Sequence, residues 1–213
     1  EKEKTSFKNI DFKITHPDKI VYPEDKFTKY DVLEYYDIVS EYILPFIQNR
    51  PLSLVRCPEN YEECFFQRHF NKTTPKALKA IDIESKGKVE PYIYLDDKEG
   101  LLSLVQMGVL EIHQWGSVIS ALETPDMIVI DLDPAPDVTW KAVVAAAFDI
   151  KQELEQLKLQ SFVKTTGGKG LHIVIPIHPE YDWDDIKKFT HVFVEYLEKK
   201  HPNQYISKMI KSK

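Results

Sequence analysis

Short apolar runs alternate along this chain with longer stretches in which apolar residues recur every three or four positions, a pattern that predicts strands and helices in alternation. Thr28, with Asp31 three residues on, predicts a helix start, and the helix runs toward Pro45 with apolar residues on several sides, so deep packing is expected. Runs at 52–56 and 64–69 read as strands of a hairpin, separated by the turn-rich Pro58-Glu59-Asn60-Tyr61. A further strand is predicted at 92–95, a helix over 100–110, and a short strand at 111–113. The apolar run 127–130, ending in Asp131-Leu132-Asp133-Pro134, predicts a buried central strand stopped by proline.

A helix over 140–157 carries Val143, Val144, Ala147, Ile150 and Leu154 at helical spacing. Strands at 161–164 and 171–177 are joined by Thr165-Thr166-Gly167-Gly168-Lys169-Gly170, and a last helix covers 184–200. No repeat, low-complexity segment or long linker interrupts the pattern, so one domain over 1–213 is expected. The fold class read from it is α/β (α+β), a mixed β-sheet core flanked by helices.

Composition narrows the function classes. With 213 residues and 43% hydrophobic content the chain can bury a core unaided. No run approaches the ~18 apolar residues of a membrane span, and Glu1-Lys2-Glu3-Lys4 lacks the apolar region of a signal peptide, so a cytoplasmic protein with no membrane partner is expected. Cys57 and Cys64 are too few for a zinc site and are expected to be reduced packing residues. A net charge of −6 argues against coating nucleic acid by bulk positive charge. Any DNA contact must be local, and basic residues do gather at Lys72, Lys76 and Lys79, at Lys86 and Lys88, and at Lys208, Lys211 and Lys213.

Four constellations could carry chemistry. Alternation along a strand puts Asp131 and Asp133 on one face, Cα atoms ~7 Å apart. Their mutual repulsion is relieved by a cation, and oxygen donors suit magnesium or manganese, two of which, ~4 Å apart, clamp attacking and leaving oxygens in phosphoryl transfer. The alternative is that the two acids cap the next helix. Around Lys169, the glycines Gly167, Gly168 and Gly170 leave backbone N–H groups open to a phosphate, unless they only make a tight hairpin turn. This is not a Walker loop, because the spacing differs and a strand follows. His172, in an otherwise apolar strand, needs a polar partner and could be structural. His113, at a strand end beside Trp115, could donate to a triphosphate or a ligand water, while Trp115 fits a core position. Phe65 and Phe66, adjacent on a strand, must face opposite sides; one can offer a base-stacking surface beside Gln67, Arg68 and His69, unless both are buried between layers.

In this order the motifs His16-Pro17-Asp18-Lys19, Tyr22-Pro23, the run from Arg50-Pro51 to Cys57-Pro58, Phe65-Phe66-Gln67-Arg68-His69, His113-Gln114-Trp115-Gly116, Asp131-Leu132-Asp133-Pro134 and Thr166 to His172 resemble the polymerase domain of bacterial end-joining ligase D, within the archaeo-eukaryotic primase superfamily. The resemblance implies a primase-polymerase-like fold and a nucleotidyltransferase that adds ribo- or deoxynucleotides to primer 3′ ends and fills gaps in double-strand break repair. It implies that Asp131 and Asp133 bind two Mn2+ (or Mg2+) ions and are catalytic, and that His113, Thr166, Lys169 and His172 surround an incoming NTP or dNTP. Arg56 is implied as a nucleotide or DNA contact, Lys19 and Lys29 as the pocket for a DNA 5′-phosphate, and Phe65 and Phe66 as the template-stacking pair. Implied partners are DNA ends with gaps or overhangs, Ku, and ligase and phosphoesterase domains on the same polypeptide, in a nucleoid-associated prokaryotic setting. Thr166 stands where serine is usual and Arg68 where lysine is common. The family also carries a further metal-binding aspartate after its last helix, which this sequence does not supply by Lys213, so a truncated domain with weak activity is expected. Rival readings are a metal-dependent phosphoesterase using the same acids, a non-catalytic 5′-phosphate binding module, and a replicative primase subunit.

Overall fold

A computed structural model describes residues 13–205 apart from Asn60 and Lys86. The basic residues Lys86, Lys208, Lys211 and Lys213 therefore lie outside the described residues. Internal contacts divide the chain between Ser120 and Ala121 into two compact units.

The first unit contains β1 (Ile20–Tyr22), β2 (Phe27–Thr28), α1 (Lys29–Ile47), β3 (Leu52–Arg56), β4 (Phe65–Gln67), β5 (Lys79–Ser85), β6 (Lys88–Tyr94), α2 (Lys98–Gln106) and β7 (Val109–Gln114). Thr28 caps α1 through a reciprocal box: its hydroxyl accepts from the Asp31 N–H, and the Asp31 carboxylate accepts from the Thr28 N–H at 2.7 Å. Those hydrogen bonds hold the Asp31 carboxyl below its ordinary range. Strands order β4-β3-β7, with β5-β6 and β1-β2 as separate hairpins, and every pair is antiparallel. Leu52 and Leu54 from β3, Ile93 from β6, Leu101 and Leu104 from α2, and Ile47 from α1 form the core. Each such side chain contributes about 1.5–3 kcal/mol by burial.

The second unit contains β8 (Met127–Leu132), α3 (Trp140–Gln156), β9 (Phe162–Thr165), β10 (Leu171–Pro176) and α4 (Trp183–Lys200). Its antiparallel sheet has the order β8-β10-β9. Ile128, Ile173 and Ile175 point to one face, where they pack with Ile150 and Leu154 of α3 and Phe193 and Leu197 of α4. The two helices are tied by the nearly buried Glu153, whose carboxylate accepts from Lys200 and from the Tyr196 hydroxyl and is held charged by them.

The α/β class agrees with the sequence pattern, while several elements differ. The β5 strand and the start of β6 were not expected, because charged residues interrupt 79–90 and Pro91 sits within β6. Helix α2 stops at Gln106 because Gly108 takes a left-handed φ of 76°, where an added Cβ would lie 3.3 Å from the Cys57 carbonyl oxygen. Strand β8 is not the central strand. Among the described residues it is an edge paired with β10 alone, and Val129 is 44% exposed, because only alternate apolar residues reach the helices. Nor is α1 packed all round: Tyr35, Ile38, Tyr42 and Phe46 are exposed along one side, since a single face meets the core.

The cysteines also depart from expectation. Arg56 and Phe65 are cross-strand partners, so Cys57 and Cys64 fall opposite each other just beyond the paired positions, their Cα atoms 4.2 Å apart, and they form a disulfide. Chain entropy for so short a loop gives about 2.5 kcal/mol of stabilisation. The double variant Cys57→Ser/Cys64→Ser should lose that much stability in urea titration; coincident midpoints for the two proteins would show that the bridge contributes nothing.

Candidate nucleotide and nucleic-acid sites

In the second unit the face of the sheet away from α3 and α4 carries the polar row. Asp131 on β8 and Lys164 on β9 are the direct cross-strand partners of His172 on the central β10, so the three side chains share one face. His172 Nε2 lies 3.7 Å from Asp131 Oδ1, and the Asp131 side chain is 67% exposed. Asp133 is one residue past the end of β8 and is exposed. Neither acid caps the next helix, because the α3 cap is Thr139, whose hydroxyl accepts from the Ala142 N–H. The acid pair is thus left available for a ligand.

The glycine turn is fastened to this acid strand. A Cβ on Gly170 would sit 2.8 Å from the Leu132 carbonyl oxygen, so only glycine permits that approach. Thr166 Oγ1 donates to the Gly170 carbonyl at 3.2 Å and lies 3.4 Å from the Gly168 nitrogen, closing the turn on itself. Gly167 is left-handed with φ 81°. Lys169 projects from this turn and is exposed. Asp131, Asp133, Thr166, Lys169 and His172 are therefore brought to one end of one sheet.

As donors, Asp131 and Asp133 offer hard carboxylate oxygens, the chemistry that suits Mg2+ or Mn2+. Among the described residues there is no group of three or more His, Cys, Asp or Glu able to hold a metal. At this end of the sheet the described residues offer two exposed carboxylates.

The first unit holds a different arrangement. A cleft of about 250 Å³ is lined by Lys19, Lys29, Arg56, Glu59, Gln106 and Cys57 among others. Lys29 is 9% exposed and its ammonium donates to the Thr15 and Gln106 carbonyls and to Gln106 Oε1, at 3.0–3.2 Å. Burial, reinforced by the neighbouring charge of Lys19, pushes its pKa down to about 8. Arg56 donates to the Met107 carbonyl at 2.9 Å and to Gln67 Oε1 at 2.8 Å, and burial lowers its pKa as well. Lys19 donates to the Pro58 carbonyl and pairs with Glu59 at 3.0 Å. Three cations and the Glu59 carboxylate thus line one cleft.

Phe65 and Phe66 face opposite sides, and neither is buried: they are 49% and 68% exposed. Phe65 lies under the Arg56 guanidinium, 5.4 Å from carbon to ring centre. Phe66 is 6.4 Å from the His113 ring, and His113 Nε2 is 2.9 Å from Glu111 Oε2. Trp115 packs edge-on against Tyr92, as a packing residue would. Arg56, expected as a nucleotide or DNA contact, is placed with Lys19 and Lys29. Residues the sequence did not single out are Gln106, Glu59 and Glu111. Only Glu111 left a trace, two residues before His113 on a strand and so on its face.

The LigD primase-polymerase domain is the family whose model matches residues 28–213. The multifunctional non-homologous end joining protein LigD of Pseudomonas aeruginosa is 31% identical over 194 residues, covering 91% of this chain and 23% of that protein. The bifunctional non-homologous end joining protein LigD of Bacillus subtilis is 31% identical over 198 residues, 92% of this chain and 32% of that protein. The chain thus spans about a quarter to a third of the length of these relatives. The solved polymerase domain of Mycobacterium tuberculosis ligase D, in complex with DNA, superposes with a TM-score of 0.83 at 24% identity, over 90% of this chain and 70% of that one. No described helix is long and apolar enough to cross a membrane. By this match over most of its length, the chain belongs to the LigD primase-polymerase domain family.

Proposed function

We propose that this chain adds nucleotides to DNA 3′ ends and fills short gaps during end joining, by in-line attack of a primer 3′-hydroxyl on the α-phosphate of a nucleoside triphosphate. The observation that carries the reading is the placement of the exposed Asp131 opposite His172, with the glycine turn of Thr166 and Lys169 fastened to the same strand end. Asp131 and Asp133 would hold two divalent ions, manganese or magnesium, which when bound supply charge stabilisation for the attacking and leaving oxygens. Lys169 and the glycine turn bind and orient the triphosphate, and His172 donates from the centre of the sheet; His113 is a further nucleotide-binding donor, of the first unit.

The cation cleft of Lys19, Lys29 and Arg56 receives the 5′-phosphate on the far side of a gap, and Phe66 or Phe65 stacks a template base. Ku and ligase and phosphoesterase domains of the same polypeptide are the proposed partners.

The test is extension of a gapped primer-template bearing a 5′-phosphate, with manganese and either ribo- or deoxynucleotides. Primer lengthening with pyrophosphate release, favouring ribonucleotides, is the expected result. Release of inorganic phosphate without lengthening would turn the acid pair over to hydrolysis. Binding of the gap without turnover would leave an end-recognition module.

A further inference from the structure

A second cavity of the first unit, of about 430 Å³, backs onto the cation cleft, and Val32 and Leu110 line both. Its character is the opposite. Tyr22, Phe27, Tyr35 and Tyr36 wall it, Asp31 supplies a carboxylate, and among the described residues no lysine or arginine lines it. The Asp31 carboxylate accepts from the Thr28 N–H and hydroxyl through Oδ2, both at 2.7 Å, and these hydrogen bonds keep it in its charged form. Burial pushes the pKa of Tyr22 and Tyr36 up, and the Glu111 carboxylate adds to both shifts, so negative charge is felt inside the cavity. Aromatic faces beside carboxylates attract an organic cation and repel a phosphate. Tyr35 also begins the exposed row Tyr35, Ile38, Tyr42 and Phe46, which runs about 16 Å along α1. Glu34 and Glu41 are exposed a turn to either side of Ile38. After Lys29 the helix carries Asp31, Glu34, Asp37 and Glu41 and no lysine or arginine, and of these Asp37 is answered by Lys98 at 2.6 Å.

We infer that this cavity receives a lysine or arginine side chain from a partner protein, whose segment lies along the exposed face of α1 with its apolar residues on Ile38, Tyr42 and Phe46. A free small cation would fill the cavity and leave the row uncovered. A segment with a cationic anchor followed by apolar residues covers both. The ammonium or guanidinium stacks on the tyrosine faces and meets the Asp31 carboxylate, which is the complementarity that an aromatic cage offers a cation. Glu34 and Glu41 favour further basic residues beside the apolar row and disfavour an acidic segment, so the charge pattern selects the partner as the row holds it. A nucleic-acid strand brings one phosphate with every nucleotide and would set that charge against the carboxylates of α1.

The experiment measures the binding of two labelled amphipathic peptides to this chain by fluorescence anisotropy. One carries an arginine ahead of leucines at helical spacing, with lysines between them; the other has citrulline, a neutral isostere, in place of the arginine. The arginine peptide is expected to bind roughly fivefold to thirtyfold more tightly, the range of one desolvated cation–π contact. Tyr35→Leu, which keeps an apolar side chain at an exposed position, should cut that advantage by about threefold or more, while Tyr35→Phe retains it. Asp31→Asn, which preserves the shape of the helix cap, should weaken the arginine peptide and leave the citrulline peptide unchanged. Equal binding of the two peptides, an advantage untouched by both Tyr35→Leu and Asp31→Asn, or no binding of either peptide would overturn the inference. A single-stranded oligonucleotide whose binding is weakened by Tyr35→Leu would give the face to nucleic acid instead. Dimers of the parent chain in sedimentation that Tyr42→Glu dissolves would give it to a second copy, and either result overturns the inference as well.

Discussion

Replacement of Asp131 by alanine is expected to lower nucleotide addition on a gapped primer-template by about a thousandfold or more, the loss that follows when several kcal/mol of charge stabilisation are withdrawn from the transition state. Asp131 is well exposed and faces His172 across the β8–β10 pair, so its removal opens no core cavity and leaves the packing of Ile128 and Ile173 against the helices intact. The loss should appear in the catalytic rate with the fold unchanged by circular dichroism. Asp131→Asn separates charge from shape: it fills the same volume, and it should be nearly as inactive. Addition at near the parent rate in either variant would remove Asp131 from the site and with it the two-ion mechanism.

The second large effect concerns the cation cleft. Changing Lys19 and Lys29 together to alanine should erase the preference for 5′-phosphorylated gaps, roughly tenfold to a hundredfold for hydrogen bonds to a charged partner, and flatten the salt dependence by up to about two phosphate units. The cleft also predicts a pH dependence that other lysines would not give. Lys29 titrates at about 8 because it is buried beside Lys19, so it is charged at pH 7 and loses its proton as pH rises through 8. The phosphate preference should therefore fall between pH 7 and 9, and phosphate binding above pH 8 should take up a proton. For folding, the sign is opposite. The folded pKa lies below that of an unfolded lysine, so between about 8 and 10.5 the unfolded chain holds more protons and the Lys29 contribution to stability rises with pH. A preference flat from pH 7 to 9 would contradict the assignment of Lys29 to the phosphate.

Both predictions depend on residues that the sequence itself brought forward, yet for different reasons. Asp131 and Asp133 stand out locally, because strand alternation already puts two like charges on one side at the end of an apolar run. The helix start at Thr28 and Asp31 was equally local, since a capping box needs only four residues to make its hydrogen bonds. The α3 and α4 helices and the strands on either side of the glycine turn follow from periodicity in the same way.

What the sequence determined about this protein was thus the identity of most of its elements, the family order of its motifs, and the acid pair with the glycine turn as candidate chemistry. Tertiary structure decided the rest, because it depends on register and on which surfaces meet. Pairing of Arg56 with Phe65 set Cys57 against Cys64 and made a bridge where reduced cysteines were expected. Pairing of Arg56 with Val109 on β7 set it beside Met107, in the cleft that Lys19 and Lys29 also line although they lie far from it in the chain. Gln106 became the neutral cradle of Lys29 only because α2 ends where α1 begins to pack, and Glu59 met Lys19 only through the folding back of the β3 end. A strand's alternation can be read along the chain, whereas the charge state of a lysine and the companion of a cation are set by residues distant in sequence and close in space.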